Sequence, residues 1–107
     1  ANPTSMKAAI DSLSLLPCNG RKIAFLGLMA ELGEKTSMAH IEVKRHAEEL
    51  GIEVIAVETE LYGDPRVVNL DSVLNEIEGM RLDKNDALLF KASRVVGLEE
   101  VVKEIII

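Results

Sequence analysis

Apolar residues recur at three- and four-residue intervals from the start of the chain: Met6, Ala9, Ile10, Leu13 and Leu16. That spacing fits one face of a helix. Asn2 ahead of Pro3 suits an N-cap followed by a proline in the first turn, and "LPCNG" stops the helix. The period then changes. "KIAFLGL" is an unbroken apolar run between a basic pair and a glycine, which is how a strand buried on both faces of a parallel sheet reads. "MAELGEKTS" is a loop. Residues 37–50 return to helical spacing, with Ile41, Val43, Ala47 and Leu50 as the inward positions and Gly51 placed to end the helix. "IEVIAV" is the second strand, "ETELYGDPR" a turn-rich loop and "VVNL" a short edge strand. Asp71 is placed to cap a short helix carrying Val73, Leu74 and Ile77. After the polar connection "LDKND", "ALLFK" is another buried strand, and "ASRVVG" leads into a last helix, "LEEVVKEI".

The order is α-β-α-β-α-β-α with short connections, which implies one α/β domain: a mainly parallel sheet flanked by helices. No internal repeat, low-complexity tract or linker interrupts it. Ligands of such sheets sit outside the carboxyl ends of the strands. That rule puts "GLMAELG", "ETELYGD" and "KASR" on the functional edge. "ANPTS" joins them if the first helix begins at that edge.

Composition narrows the partners. The 107 residues carry a formal net charge of -6, against the basic face expected of a nucleic-acid binder. Two Phe, one Tyr and no Trp leave no base-stacking platform. Cys18 is the single cysteine, so neither an internal disulfide nor a cysteine zinc cluster is available, and a reducing cytoplasm fits. No apolar run approaches the roughly 20 residues that span a bilayer, and no signal segment opens the chain. Ala1 in place of an initiator Met reads as the start of a fragment or processed product.

Lys91 and Arg94 bracket Ser93 where a strand gives way to a helix. Helix-start N–H groups attract anions; lysine adds a point charge and arginine a bidentate fork. The stretch suits a carboxylate or phosphate, and it equally suits a helix cap beside two solvated cations. "GLMAELG" matches neither a P-loop nor G-x-G-x-x-G, and by itself is a strand-to-helix turn, with Glu31 and Glu34 as loop carboxylates. His40 and His46 lie about 240° apart around a helix, so they read as surface histidines rather than a zinc pair. Glu58, Glu60 and Asp64 form either a divalent-cation loop or, as the spacing favours, a solvated one. Cys18 has no basic neighbour to make it a catalytic thiol. No catalytic set is complete within the chain, and no metal site is expected.

Taken together, the motifs resemble the C-terminal domain of the Mur ligases over nearly the whole chain, residues 1–107. "ANPTSM" is similar to the end of that family's D-x-Y-N-A-N-P-x-S-M segment, and "KAAIDSL" to the helix after it. "GLMAELG" is similar to G-D-M-x-E-L-G, "HIEV" to H-x-x-V, and "KASR" with "LEEVV" to K-G-S-R and L-E-x-V-V. The four matches occur in order.

The resemblance implies a Rossmann-like three-layer sandwich that is one domain of a larger enzyme. The N-terminal domain would hold the UDP-MurNAc-peptide, and the central domain the P-loop, ATP and Mg2+. This domain would close over the site and bring the incoming amino acid or D-alanyl-D-alanine dipeptide. The implied reaction is ATP-dependent amide formation through an acyl phosphate, in cytoplasmic peptidoglycan precursor synthesis. Without a P-loop the isolated domain should be inactive. By the same matching, Asn2 and Ser5 are implied nucleotide contacts, and Lys91, Ser93 and Arg94 substrate contacts. Leu28 departs from the family Asp, Ala92 from the family Gly, and "VETELYGDP" from V-G-x-x-A, which leaves a Mur-superfamily ligase with a different acceptor open. A freestanding ligand-binding module such as a phosphorylation receiver is the remaining alternative, though Leu28 and Glu58 end the strands where its aspartates belong.

Overall fold

The computed structural model describes residues 2–29 and 36–91. The elements run α1 (Pro3–Leu15), β1 (Lys22–Leu26), α2 (Thr36–Glu49), β2 (Glu53–Val57), β3 (Val67–Val68), a 3-10 turn (Leu70–Ser72), α3 (Val73–Met80) and β4 (Ala87–Lys91). The four strands form one parallel sheet in the order β3-β2-β1-β4. The predicted last helix lies outside the described residues.

Alternation along β1 explains the three layers. Ala24 and Leu26 pack with Met6, Ile10 and Leu13 of α1 and Val43 and Ala47 of α2. Ile23 and Phe25 face the other way, toward Val73 of α3 and Val68. Phe25 stacks on Phe90 at 5.8 Å between centroids. A strand covered on both faces has no place for a polar side chain, hence the continuous apolar run.

Both ends of α1 and the end of α2 are satisfied by identifiable groups. Asn2 and Ser5 form a capping box at the start of α1: Asn2 Oδ1 accepts from the Ser5 N–H at 2.8 Å, and Ser5 Oγ from the Asn2 N–H at 3.2 Å. At its other end the Lys22 ammonium donates to the Ser14 and Leu16 carbonyls at 2.6 and 2.9 Å, which α1 leaves without helical partners. α2 ends with the Gly51 N–H bonded to Glu48 O and the Ile52 N–H to Ala47 O, Gly51 taking φ +76°. This is the Schellman pattern.

Three expectations need correction. The inward stripe of α2 is His40, Val43 and Ala47. Ile41 is half-buried and Leu50 exposed, because Leu50 lies beyond the last residue of α2, in the turn that Gly51 closes. Leu74 points to solvent while Val73 meets the core, since α3 shows the sheet only a narrow stripe. Asp71 does not cap α3: it lies within the 3-10 turn, and no side chain caps the helix that follows.

The amino edge of the sheet is tied by Asp86. Its carboxylate accepts from the Arg21 N–H at 2.6 Å and the Asp83 N–H at 2.9 Å. Gly20 passes so close that an added Cβ would sit 2.2 Å from the Asp86 carboxylate and 2.5 Å from the Asn85 carbonyl. The bond from the Asp83 N–H, then that from Arg21, holds the Asp86 carboxyl below its ordinary value. A carboxyl lowered on folding stabilises the fold above its unfolded pKa, about 3.9, and loses that contribution as pH falls through the folded value. Denaturant melts across a pH series should therefore show the wild type losing stability more steeply below about pH 4 than Asp86→Asn does.

Candidate functional site

Among the described residues the sheet has one switch point. From β1 the chain passes through α2 to β2 on one side, whereas β4, on the other side of β1, is reached from β3 by way of α3 on the opposite face. Such a reversal of strand order opens a crevice at the carboxyl ends of the two strands that flank it, β1 and β4. Here those ends are residues 27–29 after β1, and Lys91. The Gly27 N–H donates to the Lys91 carbonyl at 2.8 Å, so the ladder continues one step past β1 and fixes the two ends against each other. Lys91 is half-buried as the last residue of β4, and Leu28 is 37% exposed on the same edge.

The start of α1 reaches that edge too. Lys7 of α1 meets Glu42 of α2 at 4.0 Å, and Asp11 meets His46 at 2.7 Å. Pairs that advance together along both helices mean that α1 and α2 run in the same direction. Because α2 follows the carboxyl end of β1, both helices begin there. Asn2 is exposed and Ser5 half-buried at this N-terminus. Ser93, Arg94 and Ala92 lie outside the described residues, as do Glu31 and Glu34.

The acidic loop after β2 disperses its carboxylates rather than gathering them. Glu58, at φ +56°, accepts from the Leu70 N–H at 3.2 Å and so holds the 3-10 turn. Asp64 pairs with Lys44 at 2.8 Å. That contact is the first cause both of the raised Lys44 pKa and of the lowered Asp64 pKa. Among the described residues no three metal-ligating side chains come together. Cys18 is a half-buried free thiol.

His40 is not the surface histidine that the helix pattern suggested. It is fully buried, because α2 turns its 40, 43, 47 stripe to the sheet. Its Nε2 accepts from the Met29 N–H at 2.9 Å, and its Nδ1 lies 2.5 Å from the Thr36 carbonyl. An N–H can only donate and a carbonyl only accept, so the ring is the neutral Nδ1–H tautomer. His46 remains half-exposed, paired with Asp11. Tyr62, also fully buried, donates its hydroxyl to the Gly27 carbonyl at 2.6 Å and stands edge-on to His40 at 4.8 Å. Burial pushes the Tyr62 hydroxyl pKa up. The sequence reading missed both residues. A lone tyrosine among loop residues, and a histidine in register with Val43 and Ala47, were the available signals.

A cleft of about 790 Å³ opens near the amino edge, where Arg21 pairs with Glu53 and Arg66 with Glu76. Its ionic groups neutralise one another, and it lies away from the switch point.

The fold and its carboxyl edge define the class: a parallel α/β domain with a candidate ligand site at its switch point. No protein-family model matches the chain. The curated protein relatives nevertheless agree with one another. The chain is 32% identical over 119 residues to the UDP-N-acetylmuramoyl-tripeptide–D-alanyl-D-alanine ligase of Bacillus subtilis (strain 168), covering 99% of this chain and 26% of that protein. It is 31% identical over 116 residues to the same ligase of Synechocystis sp., covering 95% and 25%. Among solved structures it matches the MurF ligase of Thermotoga maritima in complex with ADP, with TM-score 0.68, 28% identity and coverage of 96% and 25%. It also matches MurF of Acinetobacter baumannii, with TM-score 0.67, 27% identity and coverage of 98% and 26%. The chain belongs to the Mur ligase family, and the relatives it matches are the D-alanyl-D-alanine-adding ligases. It spans about a quarter of their length.

The capping box gives a first measurement at this edge. Replacing Asn2 or Ser5 by Ala should each cost about 1 kcal/mol of stability, the usual worth of a polar cap, read from urea melts. Because the two residues share reciprocal bonds, the double variant should cost less than the sum of the single ones.

Proposed function

We propose that this chain is the C-terminal, acceptor-binding and site-closing domain of an ATP-dependent ligase. That ligase joins D-alanyl-D-alanine to a UDP-MurNAc-tripeptide in cytoplasmic peptidoglycan precursor synthesis. The observation that carries the reading is Lys91 at the switch point of a domain homologous to such ligases along nearly its whole length. A half-buried lysine at the end of a strand supplies a point charge for a carboxylate, and the acceptor dipeptide carries one. Ser93 and Arg94, next along the chain, supply a hydroxyl and a bidentate fork for the same group.

In this proposal the amide forms through an acyl phosphate, for which ATP supplies the phosphoryl group. The chain carries no phosphate loop, and its described carboxylates are dispersed. ATP phosphates and Mg2+ are therefore assigned to the other domains of the enzyme. Asn2 fits a nucleotide contact: Oδ1 is used by the capping box while the Nδ2 donors remain for a partner, and Ser5 holds the asparagine in place. No helix of the described residues is long and apolar enough to cross a membrane.

Leu28 keeps a second acceptor open. An exposed leucine stands at the carboxyl end of β1, where the family pattern has Asp, so a less polar acceptor than the dipeptide fits the same edge. Profiling amino acids and dipeptides with the full-length enzyme separates the two readings.

In the full-length enzyme, Lys91→Ala and Arg94→Ala should each lower kcat/KM for the acceptor by about tenfold or more, since charged hydrogen bonds are worth roughly 1.5–3 kcal/mol. Near-normal activity in both variants would overturn the site assignment. The 107 residues alone should show no ATP hydrolysis and no ligation in a phosphate-release assay.

A further inference from the structure

The pair formed by His40 and Tyr62 carries an inference that rests on the acceptor-binding reading of the carboxyl edge. β1 ends at Leu26, and residues 27–29 run on where the sheet ladder is giving out. A buried main chain without a ladder needs other partners. Gly27 and Met29 are both buried. Gly27 is held from two sides, its N–H on the Lys91 carbonyl and its C=O by the Tyr62 hydroxyl. The Met29 N–H is held by His40 Nε2. The second nitrogen of His40 bonds the Thr36 carbonyl in the first turn of α2, so one ring fastens the end of the β1 segment to the start of the next helix. The Tyr62 ring braces it edge-on.

Packing alone does not account for this choice of residues. Phenylalanine at 62 and leucine at 40 would fill the space without the cost of burying a hydroxyl and an imidazole. What the polar atoms add is direction: each bonds one specific main-chain group at the edge that carries Lys91.

We propose that His40 and Tyr62 are positioning residues for acceptor binding. They fix the main chain of residues 27–29 and, through the Gly27–Lys91 bond, the strand end from which the Lys91 ammonium reaches the acceptor carboxylate. They touch no substrate themselves.

The test uses the full-length ligase with Tyr62→Phe, His40→Gln, His40→Asn and His40→Leu. It combines residue-resolved hydrogen exchange with steady-state kinetics. Glutamine offers an acceptor near the Nε2 position, and asparagine a donor near the Nδ1 position. Tyr62→Phe should speed exchange of the Gly27 amide, and His40→Leu that of the Met29 amide, each by about tenfold, the worth of one buried hydrogen bond. His40→Gln should restore Met29 protection, and His40→Asn should not. The acceptor KM should rise about three- to tenfold in Tyr62→Phe and His40→Leu, with kcat and the ATP KM within about twofold of wild type. Wild-type exchange at both amides would overturn the proposal. So would faster exchange with an unchanged acceptor KM, because the residues would then serve the fold alone. If His40→Leu does not fold, Tyr62→Phe decides. If the wild-type enzyme does not use the dipeptide, the proposed function fails, and the positioning role is judged by the exchange data and by the KM of the acceptor that profiling identifies.

Discussion

Everything in this domain depends on the burial of β1 from four directions. Its edges pair with β2 and β4, and its faces are covered by α1 with α2 and by α3. A strand so enclosed can carry only apolar side chains, and its main chain must be fully bonded within the sheet. Both conditions end together at Gly27. Past it, the Tyr62 hydroxyl and the His40 imidazole take over bonding that the ladder had supplied. The candidate site lies where the ladder around the central strand gives out.

That view unites features that looked separate. The capping box on α1, the histidine inside α2 and the tyrosine in the loop after β2 each meet a polar requirement at one end of the molecule. α1 and α2 run in the same direction, and both begin at this edge. In a chain that spans about a quarter of its relatives' length, Asn2, Leu28 and Lys91 thus lie on a single rim. The opposite end is of another kind. Asp86, Arg21 and Gly20 lock strand starts together through main-chain bonds, and ion pairs line the cleft beside them.

Much of the fold could be read in advance. The unbroken apolar runs at residues 23–27 and 87–90 and the helical stripe at Met6, Ile10 and Leu13 are consequences of burial on two faces or on one, and burial leaves a direct trace in composition. The place of Lys91 was legible for the same reason, as the charge that ends a buried strand. Errors arose where the pattern had to fix rotation or distant partners. Leu50 and Leu74 are apolar at plausible spacing, yet one falls in the turn after α2 and the other on the solvent side of a short helix. His40 reads as polar, and polarity by itself suggests the surface. Only the positions of Met29 and Thr36 reveal that both its nitrogens are satisfied inside.

Alone, the sequence determined the class of fold, the order of its elements, the absence of a phosphate loop and the motifs that connect it to amide ligases. These depend on residue type and local spacing. The tertiary structure decided which strand ends adjoin, that α1 opens on the same edge as Lys91, that the acidic loop disperses its carboxylates, and that His40 and Tyr62 converge on residues 27–29 from 11 and 35 positions away. Contacts between groups so distant along the chain depend on how the layers close, and no local pattern records that closure.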